Sequence, residues 1–298
     1  MSMLGGLISA MRPRQWVKNL LVLVAPVAAG QLTNGPVVRH TVIAFAVFTL
    51  GASGLYLIND VIDAPSDRLH PTKSQRPIAA GRVPSGVALV VAVLLLTSSL
   101  IIATPQVGGT TPLVAVLATY LGLSLAYSLG LKRVATIEFC IVASGFFLRA
   151  LAGATASNLF VSNWFLTVAA FSALFIVIGK RAAEVTELGA DSARHRRVLG
   201  EYTPAFLRAA LTLSSTVVVT TYCLWAFDVS ATGLSSVHHQ VTVVRLTVIP
   251  VVIAILHILQ RLERGEGGAP EDLILTDRTL QIVGVVWAAL FVIGIHGA

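Results

Sequence analysis

The chain has 298 residues, 55% of them hydrophobic and only 12% charged, with a formal net charge of +7 at pH 7. A mean hydropathy of +0.83 excludes an ordinary soluble domain and places the chain in a bilayer. The isoelectric point near 9.9 does not point to nucleic acid, because the cations are spread over short loops instead of lining one groove or helix.

Apolar segments run near 16–30, 37–58, 83–104, 111–129, 134–156, 161–179, 204–227, 241–260 and 279–296. Each is about long enough, at roughly 1.5 Å per residue, to cross a hydrocarbon core of about 30 Å. The expectation is an all-α membrane protein of about nine transmembrane helices, the first the shortest, forming a single polytopic domain over residues 1–298. With Met1 inside, the N-terminus and the loops at 59–82, 130–133, 180–203 and 261–278 carry 18 of the 21 Lys and Arg, counting Lys18 and Arg208 at helix ends. Only Arg39 and Arg245 fall outside, and Arg149 lies within a span. The positive-inside rule then puts those loops in the cytoplasm and the C-terminus outside. No small-residue cleavage pattern follows Arg12 and Arg14, so the first apolar run reads as a retained helix. Cys140 and Cys223 both sit in predicted spans, which argues against a disulfide framework or a zinc pair.

The chain opens on a short amphipathic lead in which Arg12, Arg14, Lys18 and Trp16 suit an interfacial anchor. Arg14 and Lys18, four apart, would equally project together towards phosphates. Helix two ends in GASGLYLIND, whose small residues allow a close helix neighbour; Tyr56 can hydrogen-bond a ligand or pack at the interface, and Asn59 can ligate or cap. Asp60, Asp63 and Asp67 fall within roughly a 60° sector of a helix, so one face offers three hard oxygen donors suited to a divalent ion shared with a phosphorylated substrate. Behind them come Arg68, His70, Lys73, Arg76 and Arg82, able to hold phosphate oxygens the metal leaves uncovered. The alternative is a solvated helix end. Pro71, Pro77 and Gly81 predict an ordered, turn-rich loop that steadies Lys73 and Arg76.

The next inner junction presents Tyr127, Lys132 and Arg133. Glu138 and Arg149, eleven apart and about 16 Å along one helix face, are costly inside a bilayer, and Arg149 meets either another helix or a ligand. Helix six ends in GKRAAEVTELG, where Lys180, Glu184 and Glu187 share a face. Lys180 and Glu184 form a simple ion pair there. Otherwise Lys180 and Arg181 grip phosphate while the glutamates bind a second ion or fix the cations. Arg194, His195, Arg196 and Arg197 read as a solvated basic loop, the glycine-rich stretch 265–278 as a connector or a mobile cover, and His238 and His239 as outer-side residues without a metal role. The sequence has no Walker motif, no GxGxxG and no Ser/His/Asp arrangement.

NDVIDAPSD resembles the NDxxDxxxD signature of the UbiA-type intramembrane prenyltransferase superfamily, and the resemblance implies about nine helices around a lipid-accessible cavity. RPRQWVKN at 12–19, the whole of 59–82, GLK at 130–132, GKRAAE at 179–184 and EYT at 201–203 are similar to its decaprenyl-phosphate phosphoribosyltransferase branch in actinobacteria. That likeness implies transfer of a 5-phosphoribosyl group from 5-phosphoribosyl 1-diphosphate to decaprenyl, or another polyprenyl, phosphate, giving a precursor for cell-wall arabinan. It further implies Mg²⁺, or Mn²⁺ in its place, on Asp60, Asp63, Asp67 and Asn59. The catalytic set would be Asp60, Asp63, Lys18, Arg76 and Lys180. Substrate would be bound by Arg14, Lys18, Tyr56, Asn59, Lys73, Arg76, Tyr127, Lys132, Arg149, Lys180, Arg181, Glu184 and Glu187. The setting would be the bacterial plasma membrane with the site on its cytoplasmic face, in a chain that could be a homo-oligomer. Two other readings are polyprenyl transfer from a diphosphate to an aromatic acceptor and, with less support, a transporter.

Overall fold

A computed structural model describes residues 2–188, 197–228, 238–265, 273 and 276–296, which contain helices and no strand. The basic run 194–196, the connector 266–272 and the side chains of Arg197, His238 and His239 lie outside the described residues. The chain divides into two compact units, one made of Met1–Lys132 and Leu148–Phe160, the other of Arg133–Phe147 and Val161–Ala298.

The first unit begins with α1 (Met3–Ala10), whose N-cap Ser2 accepts a hydrogen bond from the Gly5 amide. Arg12 then takes a left-handed conformation (φ 55°), and Pro13–Leu23 follows as a 3₁₀ helix running into the short α2 (Val24–Ala28). This corrects the regular helix expected at 16–30. Pro13 has no amide hydrogen and must open a new helix. An 11-residue 3₁₀ run is unusually long and is held from outside. Trp16 Nε1 donates to Ser53 Oγ (3.1 Å) and Asn19 Nδ2 to Thr49 Oγ1 (3.0 Å).

Both of those partners lie on α3 (Gly35–Asp67), which at 33 residues is about 50 Å long and outruns a hydrocarbon core of about 30 Å. Its apolar window therefore fills the bilayer while the end carrying Asp60, Asp63 and Asp67 stands clear of the apolar window. Helix α3 packs on α4 (Ser85–Ala103) and α5 (Thr111–Leu129). Gly54 permits the first of these contacts, since a Cβ there would stand 3.0 Å from the Ala92 carbonyl oxygen. Between α3 and α4 the chain forms the expected turn-rich loop, with one 3₁₀ turn at Lys73–Gln75 and Gly81 at φ +73°.

Helix α6 (Ile137–Ala156) contributes its last residues to this unit and its first to the other. In the second unit α7 (Asn163–Leu188) packs along α8 (Pro204–Phe227), capped by Thr203. Phe175, Ile178, Leu207, Leu211 and Leu273 form much of the core there. The span expected at 241–260 is present as Thr242–Glu263, within which α9 (His238–Leu246) gives way to α10 (Val248–Glu263) at the single turn residue Thr247, three residues before Pro250. The last helix, α11 (Arg278–His296), packs on α9 and α10.

Among the described residues seven helical stretches are long and apolar enough to cross a membrane, and Arg278–Gly294 is a shorter apolar helix. Exposed belts such as Val90, Val93 and Leu94 on α4 and Ile282, Val285 and Val292 on α11 suit contact with lipid. The protein is a multi-span, all-helical membrane protein.

Candidate functional site

The end of α3 buries Asp60 to 3% exposure, a position a carboxylate occupies only with charged or hydrogen-bonding partners. Arg12 Nη2 donates to Asp60 Oδ1 at 2.5 Å, and the same guanidinium lies over the Tyr56 ring, 4.9 Å from its centroid. Arg76, brought back by the turn-rich loop, donates through one nitrogen, Nη1, to Asp67 Oδ2 (2.7 Å) and Asp60 Oδ1 (3.4 Å). Asp63 is half-buried and takes a separate partner, Lys132 Nζ at 2.6 Å, from the 3₁₀ turn Leu131–Arg133. Three carboxylates are thus matched by three cations carried on three different stretches of chain.

A shared angular sector did not bring the three carboxylates together, and among the described residues no group of three or more His, Cys, Asp or Glu is arranged to hold a metal ion. Asp63 is paired separately with Lys132 Nζ, while Asp60 and Asp67 share Arg76. Two of them do converge, through oxygens aimed at one positive atom, Arg76 Nη1. Paired carboxylate oxygens about a positive centre are a donor set that a hard divalent ion accepts, so the residues fit such an ion with Asp60 and Asp67 as the first two donors. Asn59 and Asp63 are half-buried neighbours of that pair.

Of the other residues expected at the site, Arg14 is exposed, while Lys18, Lys73 and Tyr127 are half-buried. Arg149, expected at substrate, instead braces the interior of the unit. It is 6% exposed, donates through Nε to Asn19 Oδ1 (2.7 Å) and through Nη2 to Tyr120 Oη (2.9 Å), and stacks 4.7 Å from the Tyr120 centroid. One turn further along α6, a Cβ on Gly153 would meet the Val22 carbonyl oxygen at 1.8 Å, so α6 and the 3₁₀ helix touch backbone to backbone.

Arg12 is the residue that helix arithmetic missed. Regular spacing favours Arg14 with Lys18, whereas the left-handed turn at Arg12 sends its side chain alone to Asp60. The available signal was Pro13, which marks a fresh helix start and so a break in the phase of any count that crosses it.

A second polar cluster belongs to the second unit. Glu138, fully buried at the start of α6, accepts from Arg181 Nε (2.6 Å) and Nη2 (3.0 Å) of α7. Arg181 Nη1 donates to Glu184 Oε2 at 2.8 Å, one turn along the same helix. Arg181 was expected to grip phosphate; at 4% exposure, with each of its three nitrogens on a carboxylate, it is turned inward. The ion pair to Glu184 accordingly comes from Arg181 at i,i+3. Tyr202 donates to Glu138 Oε1 (3.3 Å) and accepts from the Thr136 amide (3.1 Å). Burial, with Glu138 adding to it against the opposing Thr136 bond, pushes the Tyr202 phenol up to about 12, so it stays a donor at neutral pH. Lys180 is half-buried and Glu187 exposed at this end of α7. Glu138 was visible in the sequence as an acid beside an apolar run, the pattern that signals a paired intramembrane group.

Helices of membrane-spanning length, with carboxylates and cations matched at their ends, define a polytopic membrane protein. Residues 20–276 match the UbiA prenyltransferase family, and the chain belongs to that family. It is 41% identical to the decaprenyl-phosphate phosphoribosyltransferase of Corynebacterium glutamicum, over 98% of this chain and 87% of that protein. To the protein of the same name from Mycolicibacterium smegmatis it is 44% identical, over 96% of this chain and 91% of the relative. The fold is similar to a solved UbiA homologue from Archaeoglobus fulgidus bound to DMAPP and Mg²⁺, with a TM-score of 0.70 at 17% identity over 97% of each chain.

Proposed function

We propose that this protein transfers the 5-phosphoribosyl group of 5-phosphoribosyl 1-diphosphate to decaprenyl phosphate, releasing diphosphate. The observation that carries this reading is identity above 40% along almost the entire chain to proteins named for that reaction. The site supports it, because a substrate pair with three phosphorylated groups requires many cations near acidic donors. Arg12, Arg76 and Lys132 already sit at the carboxylates, and Arg14, Lys18 and Lys73 lie on the adjoining segments.

In the reaction a phosphate oxygen of the lipid attacks the ribose C1, and the bond from C1 to the diphosphate oxygen breaks with its electron pair leaving on diphosphate. The attacking phosphate is anionic near neutral pH, so the chain needs no dedicated base. Its work is positioning and charge compensation. Arg12 and Arg76 can turn from carboxylate to phosphate oxygens with little movement, since guanidinium planes suit both. Lys132 supplies a point charge beside Asp63, and Tyr56 keeps the Arg12 guanidinium in place from below. Asp60 and Asp67, joined by Asp63 and Asn59, would hold a divalent ion, Mg²⁺ or Mn²⁺. The chemistry an ion there would supply is neutralisation of charge on the leaving diphosphate.

The setting fits a soluble donor and a membrane acceptor: the cytoplasmic face of the bacterial plasma membrane, with the polyprenyl tail in the bilayer and the product serving as an arabinan precursor. The test is purified protein with phosphoribosyl diphosphate, decaprenyl phosphate and Mg²⁺, with the lipid product identified by mass. A product larger by one phosphoribosyl group, formed together with diphosphate, is expected. Turnover only with a polyprenyl diphosphate and an aromatic acceptor would refute the proposal.

A further inference from the structure

Asp60 and Asp67, both in the first unit, are compensated on one side only. They are 3% and 4% exposed, yet a single oxygen of each is bonded: Asp60 Oδ1 by Arg12 and Arg76, Asp67 Oδ2 by Arg76. Asp60 Oδ2 and Asp67 Oδ1 accept no hydrogen bond among the described residues. Buried carboxylate oxygens without a partner are costly, and they call for a further ligand. The two guanidiniums are also held differently. Arg12 is fixed twice, by the 2.5 Å bond to Asp60 and by the Tyr56 ring beneath it. Arg76 touches the carboxylates through Nη1 alone, and its Nε and Nη2 make no hydrogen bond among the described residues. Its backbone is nevertheless anchored, because Ile78 is buried beside Leu57 and Ala64 and Arg68 Nε donates to the Ala79 carbonyl at 3.2 Å. The Arg76 side chain, 30% exposed, can therefore swing away while the loop stays put.

Charge decides what a divalent ion does on arrival. The two carboxylates and the two guanidiniums are neutral together, so an added ion would leave a buried cluster with a surplus of positive charge. An ion at a coordination distance of about 2.0–2.6 Å from Asp67 Oδ2 would also crowd Arg76 Nη1, itself 2.7 Å from that oxygen, and positive centres so close repel strongly in a buried site. The carboxylates are spread about Nη1 at 2.7 and 3.4 Å, wider than an ion needs, which accounts for the lack of a ready-made metal group among the described residues. We propose that Arg76 is the resident counter-ion of Asp60 and Asp67, that a divalent ion binds by displacing it, and that Arg12 stays in place. This inference rests on the divalent-ion assignment above.

The experiment titrates Mn²⁺ into the full-length protein in detergent, with neither donor nor lipid present, and reads free Mn²⁺ by electron paramagnetic resonance alongside the melting temperature. Wild type is compared with Arg76→Gln, Arg76→Lys, Lys73→Gln and Asp60→Asn. Arg76→Gln should bind Mn²⁺ about 10- to 100-fold more tightly than wild type, the range of a hydrogen bond to a charged group. Its melting temperature should lie below that of wild type in chelator and recover with Mn²⁺, because the ion supplies the missing charge. Arg76→Lys keeps a cation and should stay close to wild type. Lys73→Gln removes a charge from the same loop that is not paired with either carboxylate, and it should also stay close. Asp60→Asn should bind Mn²⁺ far more weakly. An Arg76→Gln protein that binds no more tightly than wild type, that is matched by Lys73→Gln, or that stays unfolded with Mn²⁺ present would overturn the inference. Mn²⁺ bound equally by wild type and Asp60→Asn overturns the divalent-ion assignment and this inference with it. Binding lost in Asp60→Asn but unchanged in Arg76→Gln overturns this inference alone.

Discussion

Gly153→Ala tests whether α6 really bears on the 3₁₀ helix, the segment that begins at Arg12. The added methyl would sit 1.8 Å from the Val22 carbonyl oxygen, where ordinary contact begins near 3.4 Å, so the two backbones must part by about 1.6 Å. Overpacking of that kind costs about 1–3 kcal/mol. The separation also reaches the Arg149–Asn19 hydrogen bond one turn away, a bond to a charged group worth about 1.5–3 kcal/mol. A combined loss of roughly 2.5–6 kcal/mol corresponds to a fall in Tm on the order of 10 °C for a chain of this size. Gly122→Ala is the control, because a Cβ on Gly122 of α5 meets nothing within 4 Å. That substitution should be neutral or stabilising by up to about 1 kcal/mol. Thermal unfolding of both variants in one detergent, followed by intrinsic fluorescence, makes the comparison. Equal melting temperatures for Gly153→Ala and wild type would refute the backbone contact and the brace built on it.

Three further outcomes follow from the same geometry. Asp60→Asn keeps the shape but removes the charge that Arg12 and Arg76 share, so turnover should fall at least about 100-fold while the protein still elutes as a folded species; full turnover would remove Asp60 from the site. Arg12→Gln should raise the donor KM more than Arg14→Gln does, a ranking that steady-state kinetics reads directly and that the reverse order would contradict. The hydrogen bond from His257, followed by that from Arg261, holds the Asp277 carboxyl well below the usual carboxylate range. A depressed folded-state value means stability that is present above the unfolded value near 3.9 and is lost as pH falls through the folded one. The Tm deficit of Asp277→Asn should therefore hold steady from pH 6 to about 4 and narrow below that; a deficit indifferent to acid would show that the charge contributes nothing.

Much of this protein was legible in one dimension. Hydrophobic runs of bilayer length determine where helices form irrespective of what they pack against, because an unpaired backbone cannot be left in hydrocarbon. That is why α4, α5, α6, α8 and α11 lie within a few residues of their expected positions. The Asp-rich motif and its trailing cations were likewise plain, since they are local patterns of residue type. Contacts across the chain were not. Arg12 reaches Asp60, Arg76 bridges Asp60 and Asp67, Arg181 turns from phosphate to Glu138, and Arg149 serves as a brace. Each outcome depends on which element arrives beside a long, flexible cationic side chain, and helix phase cannot supply that. One left-handed residue before a proline is enough to shift the phase of everything after it. The apolar pattern by itself determined which segments are helical and which ends are polar; only tertiary packing decided the partner of each charge, because a buried ion takes the counter-ion that folding places within about 3 Å of it.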